Sequence, residues 1–90
     1  MNEDNILGRI VISKAGRDKG KSFIIIEIIS SDYVLVSDGK LRTFETPKKK
    51  KIKHLIFTEY FEEEISNLLL SNKKISNSIL KESLKVHRYI

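Results

Sequence analysis

Cysteine and tryptophan are absent from this 90-residue chain, which has one proline and one methionine. Without cysteine, neither a disulfide framework nor a thiolate metal site can form. Packing alone must therefore hold so small a chain together. No apolar run approaches the roughly 20 residues that a membrane span requires. The acidic start, Met1-Asn2-Glu3-Asp4-Asn5, has no apolar run of signal-peptide length behind it. A cytoplasmic protein without a membrane partner is expected. Histidine is scarce too. His54 lies among lysines, and His87, near the end of a predicted helix, suits dipole compensation or packing. Two isolated histidines without cysteine make no metal site. The Glu62-Glu63-Glu64 run reads as a helix N-terminus rather than an acid/base pair. No residue set supports an enzyme, a cofactor or a small-molecule substrate.

What is present is positive charge, unevenly placed. Residues 1–58 hold 12 Lys and Arg against 7 Asp and Glu, whereas residues 59–90 hold 5 of each. The whole net charge of +5 thus sits on the first segment. Concentrated positive charge beside a neutral module points to a polyanion partner for the first and a structural or protein-binding role for the second. The chain divides accordingly into a strand-rich unit at 1–58 and a helical extension at 59–90.

After a short lead at residues 1–7, Gly8 opens Arg9-Ile10-Val11-Ile12-Ser13, a β-branched first strand. Phe23 to Ile29 is a second strand, since β-branched residues dominate and no helical period appears. Tyr33 to Ser37 makes a third. Asp38-Gly39 is the favoured pair for a two-residue hairpin and returns the chain into a fourth strand, Lys40 to Glu45, which Pro47 ends. Lys48 to Lys51 is then an exposed basic loop, and Ile52 to Phe57 a fifth strand. Five short strands joined by tight turns predict a small closed or half-closed antiparallel barrel. The second strand carries Ile24, Ile26 and Ile28 on one face and Phe23, Ile25 and Ile29 on the other. A strand apolar on both faces needs cover on both, and the tail can supply the second layer. There, Thr58 is a candidate N-cap before Glu59, Glu62, Glu63 and Glu64, with Phe61, Ile65, Leu68 and Leu69 as an apolar stripe. Ser76 caps a second helix with Ile79, Leu80, Leu84 and either Val86 or His87 facing inward. Such short helices are marginal alone and must dock on something.

Between the first two strands lies Ala15-Gly16-Arg17-Asp18-Lys19-Gly20-Lys21-Ser22. It matches the relaxed P-loop pattern, yet a P-loop leads into a helix whose amides point at the phosphate, and Phe23-Ile24-Ile25-Ile26 is a strand. Nucleotide hydrolysis is excluded on that context. Gly16 and Gly20 instead shape a compact loop, from which Lys14, Arg17, Lys19 and Lys21 project, with Asp18 holding the turn through its own backbone. On the residues alone, a merely solvated connector remains open. Lys48, Lys49, Lys50, Lys51 and Lys53 form a candidate second basic arm. Arg42 is placed to read or stack on a base. Tyr33, Phe44 and Tyr60 are either stacking platforms or core.

The segment Gly8 to Lys21 resembles a KOW motif, with Gly20 at the position of the family's hallmark glycine. The continuation through Ile28, the Tyr33 to Gly39 segment and Lys53-His54-Leu55 are similar to the small bacterial KOW-domain proteins. These in turn are similar to the archaeal and eukaryotic large-subunit ribosomal proteins fourteen, six and twenty-seven. Ser13 departs from the apolar residue common there. The resemblance spans residues 7–58 and implies a mainly β fold, a five-stranded SH3-like barrel followed by two short helices. It implies binding to RNA, in particular ribosomal RNA or the large subunit, through Lys14, Arg17, Lys19, Gly20, Lys21, Arg42, Lys48 to Lys51 and Lys53. The alternative is a protein-interaction module of the transcription or translation machinery, with a protein partner on the helical tail.

Overall fold

The computed structural model describes residues 6–87, so most of the lead expected over 1–7 lies outside the described residues. Five strands form, β1 (Arg9–Ser13), β2 (Ser22–Ile28), β3 (Tyr33–Ser37), β4 (Lys48–Lys51) and β5 (Leu55–Phe61), followed by helices α1 (Glu63–Leu70) and α2 (Asn77–Val86). Short 3-10 turns occupy Gly16–Asp18 and Ile52–His54. The strands make one antiparallel sheet in the order β4-β3-β2-β1-β5. Among the described residues β4 and β5 do not pair with each other, so the sheet is not closed into a barrel.

The first three strands form where β-branched runs predict them, but the fourth does not. Residues 40–45 are turns and bends, and the two-residue hairpin at Asp38-Gly39 is replaced by a self-closed turn. The amides of Asp38 and Gly39 both donate to the Arg42 carbonyl, which also accepts from Ser37 Oγ. One Asp38 carboxylate oxygen accepts from the amides of Lys40 and Arg42, each at 2.9 Å. With its backbone groups satisfied inside the turn, this stretch cannot return along β3. The lysine run takes the place instead, pairing Val34 with Lys50 and Val36 with Lys48. Lysine suits an edge strand, where its charge discourages further strand addition. The fifth strand begins later than expected and runs to Phe61. Thr58 is therefore no helix cap; it lies within β5, its Oγ1 donating to the Ile10 carbonyl (2.6 Å). Phe61, placed by its spacing on the helical stripe, ends β5 opposite Arg9, and Glu62 precedes α1.

β2 is apolar on both faces, as its sequence requires, but a β-bulge between Ile25 and Glu27 changes which residues share a face. One extra residue shifts the alternation by one position. Ile24 and Ile26 face the helices, with Ile10, Ile65, Ile75 and Leu80. Phe23 and Ile25 face the opposite cluster with Val11, Val34, Val36 and Leu55, and Ile28 joins that side rather than the side of Ile24. Each fully buried side chain of this kind contributes about 1.5–3 kcal/mol, so the helices are part of the core.

Ser76 caps α2 as expected, its Oγ accepting from the Ile79 amide (3.2 Å). Leu80 points inward and is fully buried, whereas Ile79 and Val86 are exposed. His87 stacks on Tyr60 at 4.5 Å between ring centroids and meets Glu62 Oε1 at 2.6 Å. The start of α2 is pinned to the 38–47 loop. Asn77 Oδ1 accepts from the Phe44 amide (2.7 Å), while Asn77 Nδ2 donates to Glu45 (3.0 Å). That bond, aided by Lys74 at 3.0 Å, holds the Glu45 carboxyl down from 4.5 to about 2. A depressed carboxyl stabilises the fold above its ordinary value and loses that contribution as pH falls through the folded value. The thermal midpoint should therefore drop between pH 4.5 and 2 by more in the native chain than in a Glu45→Gln variant. Parallel curves for the two proteins would contradict this.

Candidate nucleic-acid interface

The loop between β1 and β2 owes its shape to two glycines at positive φ, Gly16 (+73°) and Gly20 (+88°). Nothing lies within 4 Å of where a Cβ would stand at either, so glycine is needed there for backbone conformation alone. The Gly20 amide donates to the Ser13 carbonyl (2.7 Å) and the Lys21 amide to the Asp18 carbonyl (2.8 Å), closing the loop on itself. The Lys14 amide donates to the His54 carbonyl (2.9 Å), anchoring the loop beside the start of β5. A strand follows Lys21, as the rejection of the P-loop required.

The Asp18 side chain, expected to bond its own backbone, bonds lysines instead. Its carboxylate accepts from Lys48 Nζ and lies 3.4 Å from Lys50 Nζ, tying the loop to β4. The hydrogen bond from Lys48 is the main reason its pKa is lowered. Lys50 also donates to Ser13 Oγ (3.1 Å), which itself donates to the Ala15 carbonyl. Ser13, polar where an apolar residue is common, is therefore buried but satisfied.

The four-lysine run is thereby split by strand alternation. Lys48 and Lys50 point toward Asp18, whereas Lys49 and Lys51 lie over the Tyr33 ring at 4.5 and 5.9 Å. A strand assignment would have made this division legible, but lysine has low β-propensity and gave no such signal. Lys14, Arg17 and Lys19 are exposed and make no ion pair among the described residues. Lys21 is 3.9 Å from Asp18 and half exposed. Lys53 is exposed on the turn next to His54. Arg42 belongs to the 38–42 turn rather than to a strand, and there it lines a groove with Lys21. Phe44 and Tyr60 pack against the helix-side cluster, so of the three candidate rings it is Tyr33 that lies beside basic side chains. Among the described residues no helix is long and apolar enough to cross a membrane.

No protein-family model matches the chain. It is 43% identical over 49 residues to the large ribosomal subunit protein eL14 of Desulfurococcus amylolyticus, and 33% identical over 49 residues to eL14 of Staphylothermus marinus. In both cases the match covers 54% of this chain and 51% of the relative, so the chain spans about half the length of these proteins. It is also 28% identical over 72 residues to YbzG of Bacillus subtilis, whose name proposes ribosome binding; that match covers 80% of this chain and 97% of YbzG. As its Gly8 to Lys21 segment implied, the chain resembles the large-subunit ribosomal proteins of the KOW-containing kind.

Proposed function

We propose that this chain is a non-enzymatic, ribosome-associated RNA-binding protein that contacts phosphates of ribosomal RNA along the edge formed at one end of its strands by the 14–21 loop and the 38–42 turn. The observation that carries this reading is the state of the charges there. The two carboxylates lining that edge are already engaged, Asp18 by Lys48 and Lys50 and Asp38 by the amides of Lys40 and Arg42. The cations of Lys14, Arg17, Lys19, Lys21 and Arg42 are left facing solvent. Lys53 extends the basic edge past His54, and Lys49 and Lys51 add charge on the outer face of β4. The five-strand order with a 3-10 turn before β5 supports reading the open sheet as SH3-like, on which residues 62–87 form a docked helical extension. Similarity to eL14 and YbzG supports association with the large ribosomal subunit, and with it a cytoplasmic site of action.

Affinity from phosphate contacts is gained by releasing counterions. With about five phosphates neutralised, log K should fall with log salt at a slope of about −3.5 to −4.5. Titrating purified large-subunit RNA with the protein between about 50 and 200 mM salt measures it. Affinity that does not change with salt, or none at low salt, would sink the reading. A protein partner on the tail is less favoured, because Ile65 and Leu80 of its two helices are spent on the sheet. Cosedimentation with large subunits separates the two. Loss of association after RNase treatment supports RNA contact, and RNase-resistant, tail-dependent association supports a protein partner.

A further inference from the structure

The 14–21 loop and the 38–42 turn enclose a groove lined by Asp18, Lys21, Phe23, Asp38, Leu41 and Arg42. Its composition is unlike the rest of the basic edge. Phe23, at the end of the apolar interior, is buried and forms the floor, while Leu41 stands on the rim 72% exposed. The turn that carries Leu41 is fixed by Asp38 and Ser37, so the side chain is held out rather than free to fold back onto the core. Lys21 and Arg42 bring two cations to the same small space. Asp18 and Asp38 are also in the lining, but Asp18 is engaged by Lys48 and Lys50 and one Asp38 oxygen by two backbone amides.

Resting on the RNA reading above, we infer that this groove takes an unpaired nucleotide, its base against Leu41 and the Arg42 guanidinium and its phosphate on Lys21. A duplex keeps its bases stacked and offers this edge only phosphates and sugars, which cations alone can grip. An unstacked base brings an apolar face and a planar π surface, and arginine planes and apolar side chains match these. An exposed leucine between two cations contributes to the second ligand and nothing to the first. The basic edge therefore binds RNA in general, and the groove selects looped or bulged RNA over continuous helix.

The test uses the full chain and two RNAs of equal phosphate number, a hairpin with 2-aminopurine in its unpaired loop and a fully paired duplex. The native protein should bind the hairpin about tenfold more tightly and change the 2-aminopurine fluorescence. Leu41→Ser should cut that preference to about threefold or less while leaving duplex affinity nearly unchanged, and Arg42→Lys, which keeps the charge but loses the planar guanidinium, should cut the preference as well. Leu41 is too exposed to matter for folding, and unchanged thermal midpoints would establish that. Equal affinity of the native protein for both RNAs, or a parallel loss on both in the Leu41 variant, overturns the groove assignment while sparing general RNA binding. Failure to bind either RNA at low salt overturns the wider reading as well.

Discussion

Replacing Gly39 with alanine should destabilise the fold by about 2–5 kcal/mol and loosen α2 from the sheet. Gly39 sits at φ +73°, and a Cβ there would lie 2.4 Å from the Asn77 carbonyl oxygen and 3.1 Å from Leu80 Cβ. A left-handed backbone costs an L-residue about 1–2 kcal/mol. Displacing a packed helix from a well-filled contact adds about 1–3 more. Against a total of about 5–13 kcal/mol for a chain of this size, that is a large share. Gly20→Ala is the matched control, since Gly20 has the same backbone demand at φ +88° and open space around it. It should cost only about 1–2 kcal/mol. Urea unfolding followed by circular dichroism gives both values, and amide exchange in residues 77–86 reports whether α2 loosens first. Equal losses for the two variants would mean that the close approach of the 38–42 turn to α2 carries no weight.

Reversing Lys19 and Lys21 together to glutamate should weaken binding to ribosomal RNA by about a hundredfold at moderate salt and reduce the salt slope by about 1.4–1.8. Two phosphate contacts disappear and two repulsive charges take their place. The fold should survive. Lys19 makes no ion pair among the described residues, and Lys21, itself half exposed, lies 3.9 Å from Asp18, a contact contributing no more than about 1 kcal/mol. Asp18 keeps Lys48 and Lys50, so the loop stays tied to β4. Filter binding across a salt series, with a thermal melt of each protein, checks both halves. A fallen melting temperature with unchanged affinity would make the loop a structural element and move the RNA contact elsewhere.

Much of the basic edge could be read from the chain because its cues are local. Gly16 and Gly20 mark a loop whatever surrounds them, and an exposed cation needs no partner to be recognised. The errors cluster at residues 38–62, where the outcome depended on segments far away in sequence. Asp38-Gly39 looks like a hairpin, but Gly39 is required by α2, whose contact residue Asn77 is distant in the chain. Thr58 before four glutamates looks like a helix cap, but β1 offers the Ile10 carbonyl to its hydroxyl, and strand pairing extends past it. Leu41 passed unnoticed because a lone leucine in a predicted strand suggests core, and only its place on a rigid turn holds it in solvent.

The sequence by itself determined which runs are extended, where the positive charge lies, that β2 must be covered on both faces, and that a helical tail was available to cover one of them. Each of these follows from period, branching or charge within a short window. Only the tertiary structure decided that a four-lysine run is β4, that a bulge at Ile25–Glu27 moves Ile28 to the other face, and that the edge stays open between β4 and β5. It also decided that Asp18 binds lysines 30 and more residues away. A local pattern encodes what a segment can form. Its partner, and therefore which cations remain facing solvent, is settled by long-range contacts that no short window contains.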